Sequence, residues 1–211
     1  MNKKAFTLIE LVFVIVIAGI LMTIAIPRFK KNDIQKAAEQ IASHIRYTQH
    51  LAMQDDKFDP NDANWYKKRW RIFFTEANIC GGKSIRYTVY SDSSGNSTGN
   101  PNSINEVARD PEDSSIGMTG GWSSGPSGAY CNEKYDLGKK FNISSISFQG
   151  GCSSAKTIMF DEIGRPYVKS NSYNSPYSNL LKSDCEIEIK IGWQQSKKIT
   201  IAKETGYVSI K

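Results

Sequence analysis

The run "FTLIELVFVIVIAGILMTIAI", from Phe6 to Ile26, constrains this chain more than any other segment. Of its twenty-one residues, only Thr7, Glu10 and Thr23 carry polar side chains. As an α-helix rising about 1.5 Å per residue, it spans about 30 Å, the thickness of a bilayer's hydrocarbon core. Lys3 and Lys4 precede the run, so the positive-inside bias holds its start in the cytoplasm. A secretory signal has a shorter apolar core and a small-residue cleavage site after it. Here Pro27-Arg28-Phe29-Lys30-Lys31 follows instead, and the segment is expected to stay attached. One residue conflicts with a simple anchor. Glu10 is a carboxylate inside the apolar run, and such a group is costly in lipid unless it has a partner.

The pattern then turns amphipathic. Ile34, Ala38, Ile41, Ile45, Thr48 and Ala52 recur at threes and fours, with Lys36, Glu39, Gln40, Ser43 and Arg46 between them. This spacing predicts a helix to about Asp55 with one stripe to lay on a sheet. Pro27 cannot donate to the carbonyl of Thr23, which predicts a kink there. A single bent helix, roughly 75 Å long if continuous, would hold its inner half in lipid and its outer half on a soluble domain.

Beyond Asp59-Pro60-Asn61 the signals become β. "RWRIFFT" (69–75) and "IRYTVY" (85–90) are rich in aromatic and β-branched residues. Ser91 to Ala129, dominated by Ser, Gly, Asn and Pro, reads as a long surface excursion with room for one short strand, tied down if Cys131 is bridged. Strands resume over 143–148, 157–160 and 166–169. In the last segment Ile187, Ile189, Ile191 and Trp193 alternate with Glu186, Glu188, Lys190 and Gly192, and Ile199, Ile201, Val208 and Ile210 continue the pattern. Alternation of this kind means an antiparallel sheet with one wet face. The expected fold class is α+β: a long bent N-terminal helix packed on an antiparallel β-sheet domain. Its divisions are 1–5, a leader; 6–26, the apolar half of the helix; 27–57, the amphipathic half; and 58–211, the β-rich domain.

The four cysteines, Cys80, Cys131, Cys152 and Cys185, lie beyond the apolar segment, and no pair has the C-x-x-C spacing of a zinc or redox site. Outside the cytosol, two disulfides are the natural reading. Three connectivities are possible; proximity in sequence favours Cys80–Cys131 and Cys152–Cys185. His44 and His50, the only histidines, fall six residues apart in the predicted helix, unlike the i, i+4 pair of a metal site, and read as solvated. Asp110, Glu112 and Asp113 do not match a calcium loop and also read as solvated. No catalytic residue, metal site or cofactor is implied. The formal charge of +6 falls to +4 without Lys3 and Lys4, and the remaining charges are scattered.

The N-terminal "KKAFTLIELVFVIVIAGIL" resembles the class III leader of type IV prepilins and pseudopilins, in which a short basic leader and a cleavage site precede Phe-Thr-Leu-Ile-Glu. The resemblance implies cleavage by a prepilin peptidase between Ala5 and Phe6, N-methylation of Phe6, and a retained carboxylate at Glu10. Pro27 stands where many pilins carry a helix-kinking proline. Ala5 departs from the usual glycine before the cut, but is the next smallest side chain. Downstream, "TIMFDEIGRP" (157–166) and "KKITIAKETGYVSI" are similar to the closing strands of minor pseudopilins of type II secretion and related pilus proteins.

Cleavage would give Glu10 a partner, because the new α-amine of Phe6 lies about 6 Å along the helix axis and is positive or partly so near neutral pH. Pairing with the amine of an adjacent subunit would select register in a filament. The resemblance thus implies a minor pilin or pseudopilin, a non-enzymatic subunit in the bacterial inner membrane, single-pass with a periplasmic domain. Its partners would be other pilin or pseudopilin subunits, the prepilin peptidase, an inner-membrane assembly platform and membrane lipid. Two alternatives compete. Lys67, Lys68, Arg69 and Arg71 beside Trp65 and Trp70, with Lys197 and Lys198, could form a basic surface for DNA in a transformation pilin. An uncleaved, membrane-anchored periplasmic protein is the other.

Overall fold

The 3.6-residue stripe of the first quarter of the chain and the twofold alternation of the last quarter bury each other. The computed structural model describes residues 7–93, 101–121, 130–153, 155–169, 175–193 and 195–211, with the side chains of residues 24–32 excepted. The bend expected at Pro27 and the junction between Ala5 and Phe6 lie outside what it describes.

Helix α1 runs from Leu8 to Gln54, 47 residues. Ile34, Ala38, Ile41, Ile45, Thr48 and Ala52 are all buried, joined by Ala37 and Ala42, while Lys36, Glu39, Ser43 and Arg46 face outward. The alanines let strands approach the helix closely, and the isoleucines fill the space between. At the C-terminal end the N–H of Asp55 closes on the Leu51 carbonyl at 2.9 Å. The Asp55 carboxylate then accepts from Trp70 Nε1 at 2.8 Å, joining the helix end to the first strand.

The strands are β1 (Arg71–Ile79), β2 (Gly82–Tyr90), β3 (Ser145–Gly150), β4 (Thr157–Phe160), β5 (Pro166–Val168), β6 (Cys185–Ile191), β7 (Gln195–Ile201) and β8 (Val208–Ile210), with a short helix α2 (Leu137–Phe141) before β3. Every pairing is antiparallel. The fold is therefore α+β, but with two four-stranded sheets, ordered β2-β1-β4-β5 and β3-β6-β7-β8, where the sequence suggests one. Burial explains the division. All four residues of β4 are buried, as suits a strand inside the first sheet, flanked by β1 and β5. In β6, buried Cys185, Ile187 and Ile189 alternate with half-exposed glutamates, as suits a sheet with one wet face. Helix α1 packs on β1 and β4 of one sheet and on β6, β7 and β8 of the other.

Two expectations need correction. The described part of the 91–129 excursion, residues 101–121, is not free surface. It adds to the edge of β2, with Ala108 N–H donating to the Val89 carbonyl at 2.9 Å and Val89 N–H to that of Met118 at 3.0 Å. Val107, Ala108 and Met118 are buried by this pairing. Trp193 does not continue the buried row of β6. Gly192 takes φ 59°, ends the strand, and leaves the indole fully exposed on the β6–β7 turn.

Cys80–Cys131 ties the β1–β2 turn to the far side of the excursion, and Cys152–Cys185 ties the end of β3 to the start of β6. Beside the first bridge, Arg86 and Asp136 form a buried ion pair at 2.9 Å. Arg86 also donates to the Ile79 carbonyl at 2.7 Å, and Asp136 caps α2 by accepting from Lys139 N–H at 3.0 Å. Removing one member of a buried pair leaves the other charge uncompensated. Asp136→Ala is accordingly expected to cost about 3–5 kcal/mol, read as a lower denaturation midpoint of the full chain in detergent; an unchanged midpoint would show that Arg86 finds water instead.

Candidate assembly interface

The start of α1 is set by a reciprocal cap. Thr7 Oγ1 accepts from the N–H of Glu10 at 3.4 Å, and the Glu10 carboxylate accepts from the Thr7 N–H and hydroxyl, each at 2.9 Å. This capping box satisfies donors that have no partner within the helix. Glu10 is thus already engaged within its own chain, a role the sequence reading did not foresee, although Thr-x-x-Glu before an apolar run is the signal for it. Its carboxylate remains solvent-exposed.

From Leu8 to Met22 the helix offers apolar side chains around its whole circumference. Leu8, Ile9, Leu11, Phe13, Ile15, Leu21 and Met22 are all more than half exposed. A helix that is apolar all round is stable only when lipid or other helices cover it. Among the described residues no helix is long and apolar enough to cross a membrane; those described with their side chains in the apolar run end at Thr23.

Of the four residues expected to contact DNA, the two lysines, Lys67 and Lys68, are half-exposed, and the two arginines are withdrawn from the surface. Arg69 and Arg71 are buried. Arg69 donates to the Pro176 carbonyl at 2.7 Å and lies 4.6 Å from the Tyr167 ring centre and 5.0 Å from that of Trp65. Arg71 donates to the carbonyls of Arg69 and Lys67 and lies over Tyr90 at 5.5 Å. Lys68 pairs with Asp62 at 2.8 Å and Lys198 with Glu186 at 3.0 Å. Arginine faces aromatic rings favourably when desolvated, so Arg69 and Arg71 brace the start of β1.

His44 and Asp110 also differ from their expected solvated state. His44 is buried where α1 meets β2, its Nδ1 2.6 Å from the Tyr87 hydroxyl. Gln40 Nε2 donates to that same hydroxyl at 2.6 Å, and the direction of the His44–Tyr87 bond follows the histidine tautomer. Asp110 is buried within the excursion, accepting from the Tyr135 hydroxyl and paired with Lys134 at 2.6 Å. Burial alone would raise the Asp110 carboxyl, but the bonds from Lys134 and Tyr135 outweigh it and hold the pKa at about 2. For His44, burial lowers the pKa to about 4 and the Lys134 charge acts in the same direction, against the opposing charges of Asp110 and Glu112. Among the described residues no group of three or more His, Cys, Asp or Glu could hold a metal ion.

Sequence reasoning also missed Gln49. Its Nε2 donates to the Gly164 carbonyl at 2.8 Å and to the Thr205 carbonyl at 2.9 Å, clasping the β4–β5 and β7–β8 turns to the helix. Gly206 has φ 66°, and a Cβ there would lie 2.7 Å from the Gly164 oxygen, so the two turns meet only because glycine allows it.

An apolar helix exposed on all sides, continued by an amphipathic half that carries an antiparallel β domain, defines an α+β, pilin-like architecture. Residues 1–26 match the prokaryotic N-terminal methylation motif, the class III prepilin signature, which supports a likeness to the type IV prepilins and pseudopilins. The motif belongs to structural rather than enzymatic proteins and implies membrane anchoring, prepilin-peptidase processing and assembly with other pilin subunits. It covers 26 of 211 residues and does not extend to the β domain. No curated protein and no solved structure matches the chain.

The buried histidine makes stability depend on pH. Unfolded histidine titrates near 6.5, so between there and about 4 the unfolded chain binds a proton that the folded chain refuses. Stability therefore falls on acidification through that window, by an amount on the order of 3 kcal/mol at its lower edge. The thermal midpoint of the full chain in detergent should drop between pH 7 and pH 4, and His44→Gln should flatten that slope; an equal slope in the variant would remove His44 as its source.

Proposed function

We propose that this chain is a minor pilin or pseudopilin, a structural subunit of a type IV pilus-like filament serving a type II secretion or a pilus or transformation machine. Residues 6–26 anchor it in the bacterial inner membrane, and the β domain lies in the periplasm. The observation that carries this reading is the coincidence of the methylation motif with a helix that begins at Leu8 and exposes apolar residues on every side. Such a surface suits lipid before assembly and neighbouring helices afterwards. Two disulfides support an oxidising compartment for the domain.

In this reading the peptidase cuts between Ala5 and Phe6, and Glu10 pairs with the new, N-methylated amine of Phe6, most productively that of an adjacent subunit. Such a bond is met only in the correct register, so it selects the assembled geometry. An inner-membrane platform supplies the place of assembly.

The capping box separates the two roles of Glu10. Glutamine is accepted at that position of the box, so Glu10→Gln keeps the helix start while removing the charge, whereas Glu10→Ala removes both. Both variants should insert in the membrane and fail to enter filaments. Normal filament incorporation of Glu10→Gln would show that the carboxylate serves only as a cap. Mass spectrometry of the membrane form should give a chain beginning at methylated Phe6, and a mass beginning at Met1 would defeat the pilin reading.

A further inference from the structure

Helix α1 fixes which end of the β domain faces its own anchor. Near the helix C-terminus, Arg46 donates to the Val208 carbonyl at 2.8 Å, Gln49 holds Gly164 and Thr205, and Asp55 receives Trp70. The start of β1 and the Ile201–Val208 edge of the second sheet therefore lie at the end remote from the apolar run. About two turns closer to that run, Gln40 meets Tyr87 of β2 at 2.6 Å and Lys140 of α2 at 2.7 Å. Past this level both sheets turn back. The β1–β2 turn is at Cys80–Gly81, and the β6–β7 turn at Gly192–Trp193 is tied to Ser144 by a 3.0 Å bond from Gly192 N–H. Gly81, Gly82, Asn142 and Ser144 line one cleft, so the two turns share the same end of the domain.

On the anchor reading, that end is the one that faces the membrane. Ile34 is the first described buried residue of the outer half, and it follows Ile26 by eight residues, at most about 12 Å of helix. Trp193 stands on the turn with a relative exposure of 104 %. An indole has an apolar body and a single N–H donor, a combination poorly served by water and well served by the headgroup layer, where tryptophan is enriched in membrane proteins.

We propose that Trp193 is a second membrane contact, resting in the headgroup layer of the leaflet from which α1 emerges and setting the tilt of the β domain in the unassembled subunit. This rests on the anchor reading given above. The occupant follows from continuity: the chain's own apolar helix brings a bilayer to this end of the domain. Trp65 and Trp70 sit at the remote end, Trp70 bonded to Asp55, and serve as internal controls.

The test uses the full chain reconstituted at low protein density in vesicles of phosphatidylethanolamine and phosphatidylglycerol whose acyl chains are brominated near the carboxyl end. Bromine quenches only indoles at the lipid interface. Emission of the natural chain should contain a quenchable, blue-shifted component that Trp193→Ala loses, with no loss of vesicle co-flotation. Co-flotation with equal quenching in both chains would overturn this inference alone. Failure of the natural chain to co-float would overturn the anchor reading and this inference with it. A blue shift of Trp193 in ordinary vesicles without quenching in brominated ones would assign the indole to a protein neighbour, again overturning it.

Discussion

Burial of the outer stripe of α1 between two sheets is the interaction on which everything else depends. Neither sheet is closed: each has a face that water would cover if the helix were absent. Ile34, Ile41 and Ile45 contribute to one core together with Ile72 and Phe74 of the first sheet and Ile187, Ile189 and Ile199 of the second. Burying an isoleucine contributes about 1.5–3 kcal/mol, so the stripe supplies enough to hold both sheets to one rod. A rod whose other half is apolar on every side then needs a medium of its own.

Polar groups within this core act as local fasteners. Tyr87 joins Gln40 and His44 to β2, Gln49 joins two turns, and Arg46 reaches the Val208 carbonyl. Each is a side chain of the helix bonded to something distant in sequence. Their geometry fixes rotation and sliding of the helix against the sheets, which apolar contacts alone leave loosely determined. Arg86 with Asp136, and Arg69 among aromatic rings, do the same for the loops at either end.

The parts legible in the sequence were those with a strong period. The stripe from Ile34 to Ala52 was legible because it repeats over five turns. The last three strands were legible because isoleucine alternates with charge. The pairing of the cysteines followed their order only by proximity. What was hidden lacked such a signal. Val107, Ala108 and Met118 are too few among serines and glycines to show that the excursion is edge structure. Arg69, Arg71, His44 and Asp110 look solvated by residue type, and only three-dimensional neighbours such as Tyr167, Tyr90, Tyr87 and Tyr135 allow their burial. Trp193 continues the isoleucine pattern on paper, but glycine at 192 releases it from the strand. At the candidate interface the apolar run was plain, whereas the double duty of Glu10 depended on the position of Thr7.

The cap formed by Thr7 and Glu10 lies downstream of the bond between Ala5 and Phe6. A cut at that bond, as proposed, would leave the Thr7–Glu10 bonds that start the helix in place. On the proposed reading, the helix from Leu8 onward keeps its own cap through processing. What the proposed cut would change is the charge ahead of the helix: Lys3 and Lys4 would leave with the leader and a new amine would appear at Phe6. If the chain is processed and assembled as proposed, its helix would enter a polymer with the cap already made, and the nitrogen of Phe6 would be the one new group at its start.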